Sequence, residues 1–159
     1  MSKVAVIYWS GTGNTQQMAD AVAEGAKGAG AEVSVFSVSE ISAADAAAYD
    51  HLALGCPAMG GEVLEESEFE PFFSELEGSL SGKKVVLFGS YDWGDGQWMR
   101  DWQQRTVQAG AKMPADGLSV NRTPDAGGRA QSRELGAKIA EEGFAASPLP
   151  LPACRMAER

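Results

Sequence analysis

A short loop of hydroxyl residues and glycines, residues 10–15, constrains this chain more than any other stretch. It follows residues 4–9, an apolar run with the length and β-branched content of a buried parallel strand. It precedes residues 18–26, whose apolar side chains recur at helical spacing. A strand, a tight loop and a helix in this order turn backbone N–H groups and the positive end of the helix dipole towards one anion. The loop is therefore predicted to bind a phosphate through Ser10, Gly11, Thr12, Gly13, Asn14 and Thr15.

The composition of this loop indicates which phosphate it holds. No lysine or arginine lies between Lys3 and Lys27, so the loop lacks the lysine that nucleoside-triphosphate loops place on the phosphates. Only Gly11 and Gly13 are present, without the third glycine of the dinucleotide fingerprint. A terminal monophosphate held by neutral donors fits best. The alternative is a tight turn in which the hydroxyl groups only cap the helix.

Apolar runs alternate with helical patterns along the whole chain, which predicts βαβ units and a parallel sheet. Strands are predicted at residues 3–9, 32–38, 50–56 and 83–90, and a weak fifth within 112–121. Helices are predicted at residues 14–29, 42–48, 68–78, 97–109 and 128–142. The fourth strand is the most apolar and is expected at the sheet centre. Right-handed crossovers make this a doubly wound three-layer α/β sandwich, in which ligands bind beyond the carboxyl ends of the strands.

Two further loops carry unusual chemistry at those ends. The loop after the third strand, residues 57–66, contains Met59 and the flexible pair Gly60–Gly61. The loop after the fourth strand, residues 90–98, places Trp93 among glycines, where an aromatic ring is costly to expose unless it covers something flat. A planar ligand between Met59 and Trp93, with its phosphate on the first loop, satisfies all three loops. Flavin mononucleotide (FMN) combines a single phosphate with such a ring.

Several motifs also resemble a known family: YWSGTGNT at residues 8–15, LEESEFEPF at 64–72, GKKV at 82–85, LFGSY at 87–91, WGDG at 93–96 and WMRD at 98–101. They closely resemble the short-chain flavodoxins of anaerobic bacteria, over about residues 1–142. The resemblance implies a flavodoxin-like fold with a five-stranded parallel sheet in the order 2-1-3-4-5. It also implies non-covalently bound FMN, electron transfer between redox enzymes in steps of one or two electrons, and no substrate turnover.

Carried over residue by residue, the resemblance assigns flavin contacts to all three loops. The phosphate is bound by side chains of the first loop, namely Ser10, Thr12, Asn14 and Thr15, helped by the intervening amides. Met59 and Trp93 flank the ring, and Glu62 accepts from the flavin N3–H. The Gly60–Gly61 peptide reorients on reduction, so that the Gly60 carbonyl accepts from the protonated N5. The ribityl chain and pyrimidine edge are lined by Ser90, Tyr91 and Gly94, and Ala58 is a further contact.

Three positions depart from the family pattern. Pro57 stands where relatives have a serine that touches the phosphate, so one donor is expected to be missing. Gly61 stands where close relatives often have an aspartate, which removes a charge near the ring and loosens the turn. Asp92 replaces a common glycine and brings a carboxylate close to the flavin. These three residues are still expected to lie in the cofactor site.

The chain carries 22 acidic and 13 basic residues, a net charge of −9. This charge disfavours binding to nucleic acid and to anionic membranes, and favours basic docking faces on partner proteins. The resemblance implies that those partners are oxidoreductases, either of the NAD(P)H–flavodoxin reductase type or low-potential dehydrogenases. It also implies that the protein is a monomer. Seven glutamates in residues 62–77 could orient such partners, although a run of this kind is also typical of a solvated helix face. None of the three loops contains lysine or arginine, which predicts that the reduced, anionic flavin is disfavoured and that electrons are carried at low potential.

The two cysteines, Cys56 and Cys154, form no disulfide framework, and no targeting pattern or membrane-length apolar run is present, so a cytoplasmic protein is expected. Residues 1–142 are predicted to form one domain, followed by a proline-rich tail at 143–159. Structural roles are expected for four further residues, namely Trp9, His51, Trp98 and Trp102. No metal site is predicted, because the sequence has no cluster of ligands at metal spacing. No catalytic residue is predicted either.

Two other functions are possible on such a fold. An FMN-dependent NAD(P)H:quinone or nitro reductase would need a substrate pocket and usually longer loops, and nothing in the sequence supplies them. A phosphorylated receiver domain would need aspartates after the first and third strands. Residues 8–12 and 56–58 contain no aspartate, so this function is excluded.

Overall fold

The computed structural model describes residues 3–11, 13–58, 65–91, 96–121 and 124–140. Within these ranges the strands are β1 (Lys3–Tyr8), β2 (Glu32–Ser37), β3 (His51–Gly55), β4 (Lys84–Tyr91) and β5 (Leu118–Asn121). The helices are α1 (Asn14–Gly28), α2 (Ala43–Ala46), α3 (Phe69–Glu77), α4 (Gln97–Gln108) and α5 (Ala126–Ala140). Each predicted helix and strand is confirmed with only small shifts at its ends. A 3-10 turn at Val38–Glu40 has no counterpart in the sequence pattern.

The strands form a parallel sheet in the order β2-β1-β3-β4-β5, which confirms the doubly wound three-layer fold. The order puts β3 in the middle, so the prediction that β4 holds the centre is wrong. β4 is the most apolar strand because both of its faces are covered along its length, and seven of its eight residues are buried. It pairs with β5 only over Phe88–Tyr91, and the short β5 lies at the sheet edge.

Alternate residues of the strands face opposite sides of the sheet, as the period of two requires. In β1, Val4 and Val6 belong to the core under α1 and α5, whereas Ala5 and Ile7 belong to the core under α2, α3 and α4. All four side chains are fully buried. Among the described residues, no helix has both the length and the apolar character needed to cross a bilayer.

Helices α1 and α5 touch backbone to backbone at two glycines, a contact we call the glycine seam. A Cβ on Gly25 would lie 1.9 Å from the carbonyl oxygen of Arg133, and a Cβ on Gly136 would lie 1.9 Å from that of Val22. Real Cβ atoms do not approach so closely, so only glycine allows this helix spacing. The seam fixes the axis of α1, whose first turn faces the first loop.

Helices α3 and α4 meet through large rings, which we call the aromatic cluster: Phe69, Phe73 and Trp102. The edges of Phe69 and Phe73 meet the Trp102 ring at centroid distances of 5.4 and 5.9 Å, with nearly perpendicular planes. All three side chains are buried. Within the described residues, the Trp102 Nε1–H is buried without a hydrogen-bond partner. The expected packing role of Trp102 is confirmed.

Candidate functional site

The three loops predicted to act together leave neighbouring strands at the carboxyl edge of the sheet, because β1, β3 and β4 are adjacent. Backbone hydrogen bonds continue the pairing past the strand ends. Trp9 N–H donates to the Gly55 carbonyl at 3.0 Å, and Ala58 N–H donates to the Ser90 carbonyl at 3.0 Å. The described ends of the loops are therefore held side by side.

The first loop leads into helix α1, whose N-cap residue is a glycine. Gly13 occupies the N-cap position with φ of 95°, a left-handed conformation that favours glycine, and no side chain makes a capping hydrogen bond there. The Ser10 hydroxyl accepts from Gly13 N–H at 3.0 Å, which leaves its own O–H to donate. The first turn of α1 contains no acidic residue. This donor set fits an anion, since the N-terminal N–H groups of a helix need an acceptor.

One contact joins the first loop to the third. The Thr15 and Ser90 hydroxyls lie 3.1 Å apart, and Ser90 N–H donates to the Thr15 hydroxyl at 3.4 Å. Both residues are buried, with 1 and 5% of their surface exposed. The hydroxyl expected to bind a phosphate is thus also a bridge between β4 and α1. Sequence alone offered no signal for a pair 75 residues apart.

The loop after β3 rejoins the described residues at Glu65, which the sequence pattern places only among the carboxylates of residues 62–77. Its buried carboxylate accepts from the N–H groups of Ser67, Glu68 and Phe69 at 2.9, 2.8 and 2.9 Å, and from the Ser67 hydroxyl. Burial raises the pKa of this carboxyl, but the hydrogen bonds outweigh burial and leave the pKa below its usual range. Glu65 lies outside the capping-box spacing, since the N-cap of α3 is Glu68, so no local capping signal identifies this role.

Two more glutamates of the acidic stretch are paired with one arginine of α4. Arg105 on α4 donates to the Glu70 carboxylate at 2.9 and 2.7 Å, and to the Glu77 carboxylate at 3.0 and 3.1 Å. Its guanidinium also lies 4.8 Å from the centroid of the Phe73 ring. Hydrogen bonds from Arg105 hold the pKa of Glu70 below its ordinary value. The exposed glutamates of the described stretch are Glu66, Glu68 and Glu75.

The loop after β4 rejoins the fold at the start of α4. Gly96 takes the N-cap position with φ of 89°, and Trp98 is fully packed two residues later. The Trp98 indole N–H donates to the Cys56 carbonyl at 3.2 Å, and its ring lies 5.6 Å from that of the half-buried Tyr91. The structural role expected for Trp98 is confirmed, and the bond to Cys56 adds a link between the second and third loops.

Other expected side chains are placed as follows. Trp9 is partly buried and donates through Nε1 to the Glu68 carboxylate at 3.1 Å, so it packs between β1 and α3. The His51 Nδ1 lies 2.6 Å from the Ile139 carbonyl oxygen, and among the described residues no group of three or more metal-ligating side chains occurs. Cys56 is buried.

Pro57 and Ala58 lie half-buried at the start of the loop after β3, and Gly11 is exposed beside the Trp9 ring. The remaining predicted contacts fall outside the described residues: Thr12, Met59, Gly60, Gly61, Glu62, Asp92, Trp93 and Gly94. The predicted tail, residues 143–159 with Cys154, also lies outside them. The structure therefore brings together the ends of the three loops and leaves the ring contacts as predictions.

Comparison with known proteins gives a consistent result. The family model described as Flavodoxin matches residues 6–136. The chain is 48% identical over 135 residues to a flavodoxin of Clostridium beijerinckii, covering 85% of this chain and 97% of that one. It is 46% identical over 138 residues to a flavodoxin of Megasphaera elsdenii, covering 87% and 98%. The solution structure of the two-electron reduced Megasphaera elsdenii flavodoxin superposes with a TM-score of 0.78 over 86% of this chain and 98% of that chain. An NAD(P)H dehydrogenase (quinone) of Sinorhizobium fredii is 43% identical over 70 residues, covering 44% of this chain and 35% of that protein.

Proposed function

Because the chain belongs to the flavodoxin family, we propose that the loops after β1, β3 and β4 hold FMN through the residues assigned to them, and that the protein shuttles single electrons at low potential. The protein is an FMN-binding electron carrier and not an enzyme. The observation that carries the placement is the Thr15–Ser90 contact, which ties the first loop to the third at the carboxyl edge of three adjacent strands.

The first turn of α1 would bind the FMN phosphate. Its N-cap residue is Gly13, which has no side chain to cap the helix, and the Ser10 hydroxyl is held beside it by the Gly13 N–H. Pro57 has no N–H and no hydroxyl, so the second loop would add no donor from that position. The phosphate would therefore depend on the first loop more than in a flavodoxin with a serine there.

Bound FMN supplies a ring that takes up and releases electrons. The surrounding chain disfavours added negative charge, because residues 10–15, 57–66 and 90–98 contain no lysine or arginine. The lowered pKa of Glu65 keeps a carboxylate charged at the end of the second loop. The negative charge of Glu65, and the lack of lysine and arginine in these loops, would lower the potential at which the flavin accepts its second electron.

A stepwise anaerobic reduction of the FMN-loaded protein tests this proposal. We expect two separate one-electron steps, with a blue one-electron-reduced species building up before the pale, fully reduced protein. A single two-electron step, driven by NAD(P)H alone, would contradict the shuttle and favour a flavin reductase. Purified protein that retains no FMN after loading and gel filtration would contradict the placement of the cofactor.

The partners of this electron carrier are oxidoreductases. We further propose that they present basic faces, that they include an NAD(P)H–flavodoxin reductase and low-potential dehydrogenases, and that a cytoplasmic monomer meets them. The exposed carboxylates of Glu66, Glu68 and Glu75 support this docking, whereas Glu70 and Glu77 are paired with Arg105.

Salt dependence tests the docking proposal. The rate of reduction by such a reductase should fall as ionic strength rises, since the Debye length shrinks to about 8 Å near physiological salt. Glu75→Gln should weaken this dependence, because Glu75 is exposed. Glu77→Gln is the matched control on the same helix, with its carboxylate already bound to Arg105. Equal effects of the two substitutions would contradict docking through the exposed glutamates.

A reductase function on the same fold is not favoured. The similarity to an NAD(P)H dehydrogenase (quinone) covers less than half of either chain, whereas the similarity to flavodoxins covers nearly all of theirs. The absence of turnover with NAD(P)H and a quinone in the loaded protein is the expected result.

A further inference from the structure

Two hydrogen bonds meet at Cys56, the first residue after β3. The Trp98 indole N–H donates to the Cys56 carbonyl at 3.2 Å, and the Glu65 backbone N–H donates to the Cys56 Sγ at 3.3 Å. All three residues are buried. Glu65 lies near the end of the loop after β3, and Trp98 is the last residue of the loop after β4. We call these two loops, residues 57–66 and 90–98, the ring-side loops; one residue holds the far ends of both.

Cys56 itself has no room to move. Its N–H donates to the Phe88 carbonyl at 3.1 Å, and a Cβ on Gly89 would lie 2.1 Å from the Cys56 carbonyl oxygen. Burial raises the pKa of the Cys56 thiol, so the thiol stays protonated and its S–H donates to the Pro57 carbonyl at 3.6 Å. The sulfur can therefore accept from Glu65 without becoming a charged or reactive group.

Glu65 is fixed from its other side as well. Its carboxylate binds the N–H groups of Ser67, Glu68 and Phe69 at the start of α3. The residue thus joins Cys56 to the helix that carries the aromatic cluster. Trp98 joins Cys56 to α4, the other helix of that cluster.

We propose that Glu65 and Trp98 are positioning residues for the flavin, which act through Cys56 to hold the ends of both ring-side loops at one fixed point. This inference rests on the proposed flavin site, and it requires no contact between either residue and FMN. Removing the Trp98–Cys56 bond, or the carboxylate that holds the Glu65 N–H at Cys56, should raise the free-energy cost of fixing these loop ends when FMN binds. The cost of ordering them then appears as lost affinity.

The chain offers a matched control for each residue. Trp98→Phe removes the indole N–H that binds Cys56. Trp102→Phe makes the same change one turn later on α4, where the buried N–H has no partner among the described residues. Glu65→Gln keeps the backbone N–H that binds the Cys56 sulfur, but it removes the carboxylate that fixes this segment to the start of α3, because glutamine cannot accept all the present hydrogen bonds. Glu66→Gln removes an exposed charge at the next position.

FMN affinity of the apoprotein, measured by quenching of flavin fluorescence, is the first readout. We expect Trp98→Phe to weaken FMN binding about fivefold to tenfold, as the loss of one hydrogen bond can, and Glu65→Gln to weaken it at least as much, because the Glu65 carboxylate accepts several hydrogen bonds. The double variant should lose less than the product of the two single losses, because both residues act through the same anchor. The two controls should stay within about twofold of wild type, as surface or unpaired groups do.

The two one-electron midpoint potentials are the second readout, which a purely structural role would not move. Trp98→Phe removes no charge, so a changed separation between its two potentials reports altered loop placement. Glu65→Gln should shift the potentials more than Glu66→Gln, although each removes one carboxylate.

The inference is overturned if Trp98→Phe binds FMN as tightly as Trp102→Phe with unchanged potentials, or if the losses of the double variant multiply. Should Glu65→Gln fail to fold, the Trp98→Phe and Trp102→Phe pair still decides. Wild-type apoprotein that binds no FMN would instead defeat the proposed function, a separate and distinguishable result.

Discussion

The two faces of the sheet are held by opposite means. On one face α1 and α5 approach until their backbones touch at Gly25 and Gly136, and on the other α3 and α4 are kept apart by the rings of Phe69 and Trp102. The glycine seam has no space to lose and tolerates no added atom. The aromatic cluster has much volume to lose. The two sides of the sheet are therefore sensitive to opposite changes: the glycine seam to added atoms, and the aromatic cluster to removed ones.

This difference matches what each face supports. The glycine seam sets the position of α1, whose N-terminus would bind a phosphate and needs a fixed backbone more than adaptable side chains. The aromatic face carries the ends of the ring-side loops through Glu65 and Trp98. Side chains there determine how loops are attached, so polar groups are built into an otherwise apolar contact.

The largest effect should come from emptying the aromatic cluster. Phe69→Ala removes a fully buried ring that contacts Phe72 and Trp102 at centroid distances of 6.1 and 5.4 Å. We expect a loss of about 3–5 kcal/mol in the free energy of unfolding, because a large cavity remains between two helices. Urea unfolding of the apoprotein measures it. A loss below about 1 kcal/mol would show that the helices close over the gap and that the cluster does not set their spacing.

A methyl group at the glycine seam should have the next largest effect. Gly136→Ala places a Cβ 1.9 Å from the Val22 carbonyl oxygen, so α5 must move away from α1. We expect a loss of about 1–3 kcal/mol or more, as for other overpacked cores. Gly28→Ala is the matched control, since a Cβ there meets nothing within 4 Å. That substitution should gain up to about 0.5–1 kcal/mol from helix propensity. The same sign for both substitutions would contradict backbone contact at the seam.

An ion-pair comparison sharpens the contrast further. Arg105 joins α4 to two carboxylates of α3 over the Phe73 ring, whereas Arg133 reaches from α5 only to the exposed Glu24 at 3.3 Å. We expect Arg105→Gln to lower the free energy of unfolding by about 1–2 kcal/mol, and Arg133→Gln by less than about 0.5 kcal/mol. Thermal unfolding at low and high salt distinguishes them. Similar losses would mean that Arg105 contributes no more than an ordinary surface pair.

The features that could be predicted depend on residues close together in the chain, whereas those that could not depend on contacts between distant residues. Strand and helix positions follow from local periodicity, which is why the apolar run before Ser10 and the helix after Gly13 could be predicted. The strand order explains why the ends of the three loops lie together at one edge of the sheet. The role of Glu65 could not be predicted from charge alone, since its partners include Cys56, nine residues away and reached through a sulfur. The Thr15–Ser90 and Trp98–Cys56 bonds, 75 and 42 residues apart, depend on packing that no local pattern encodes.

The smallest effect, and the most selective, concerns pH. The Arg105 hydrogen bonds hold the pKa of Glu70 below its ordinary value, so the ionised form stabilises the folded protein. That contribution is complete above the ordinary carboxyl pKa, about 4–5, and is lost as pH falls through the lower folded-state value. Glu70→Gln should therefore be less stable than wild type at pH 7, and the gap should close as the solution is acidified.

Urea unfolding of both proteins from pH 7 to pH 3 measures this gap, with Glu24→Gln as the control on the other face. Glu24 pairs only with an exposed arginine, so the control should differ little from wild type at any pH. A gap for Glu70→Gln that persists unchanged in acid would show that size or packing, rather than charge, explains its effect. A gap that closes, with no gap for Glu24→Gln, would show that the ionised Glu70–Arg105 pair stabilises the aromatic face and that acid removes this contribution.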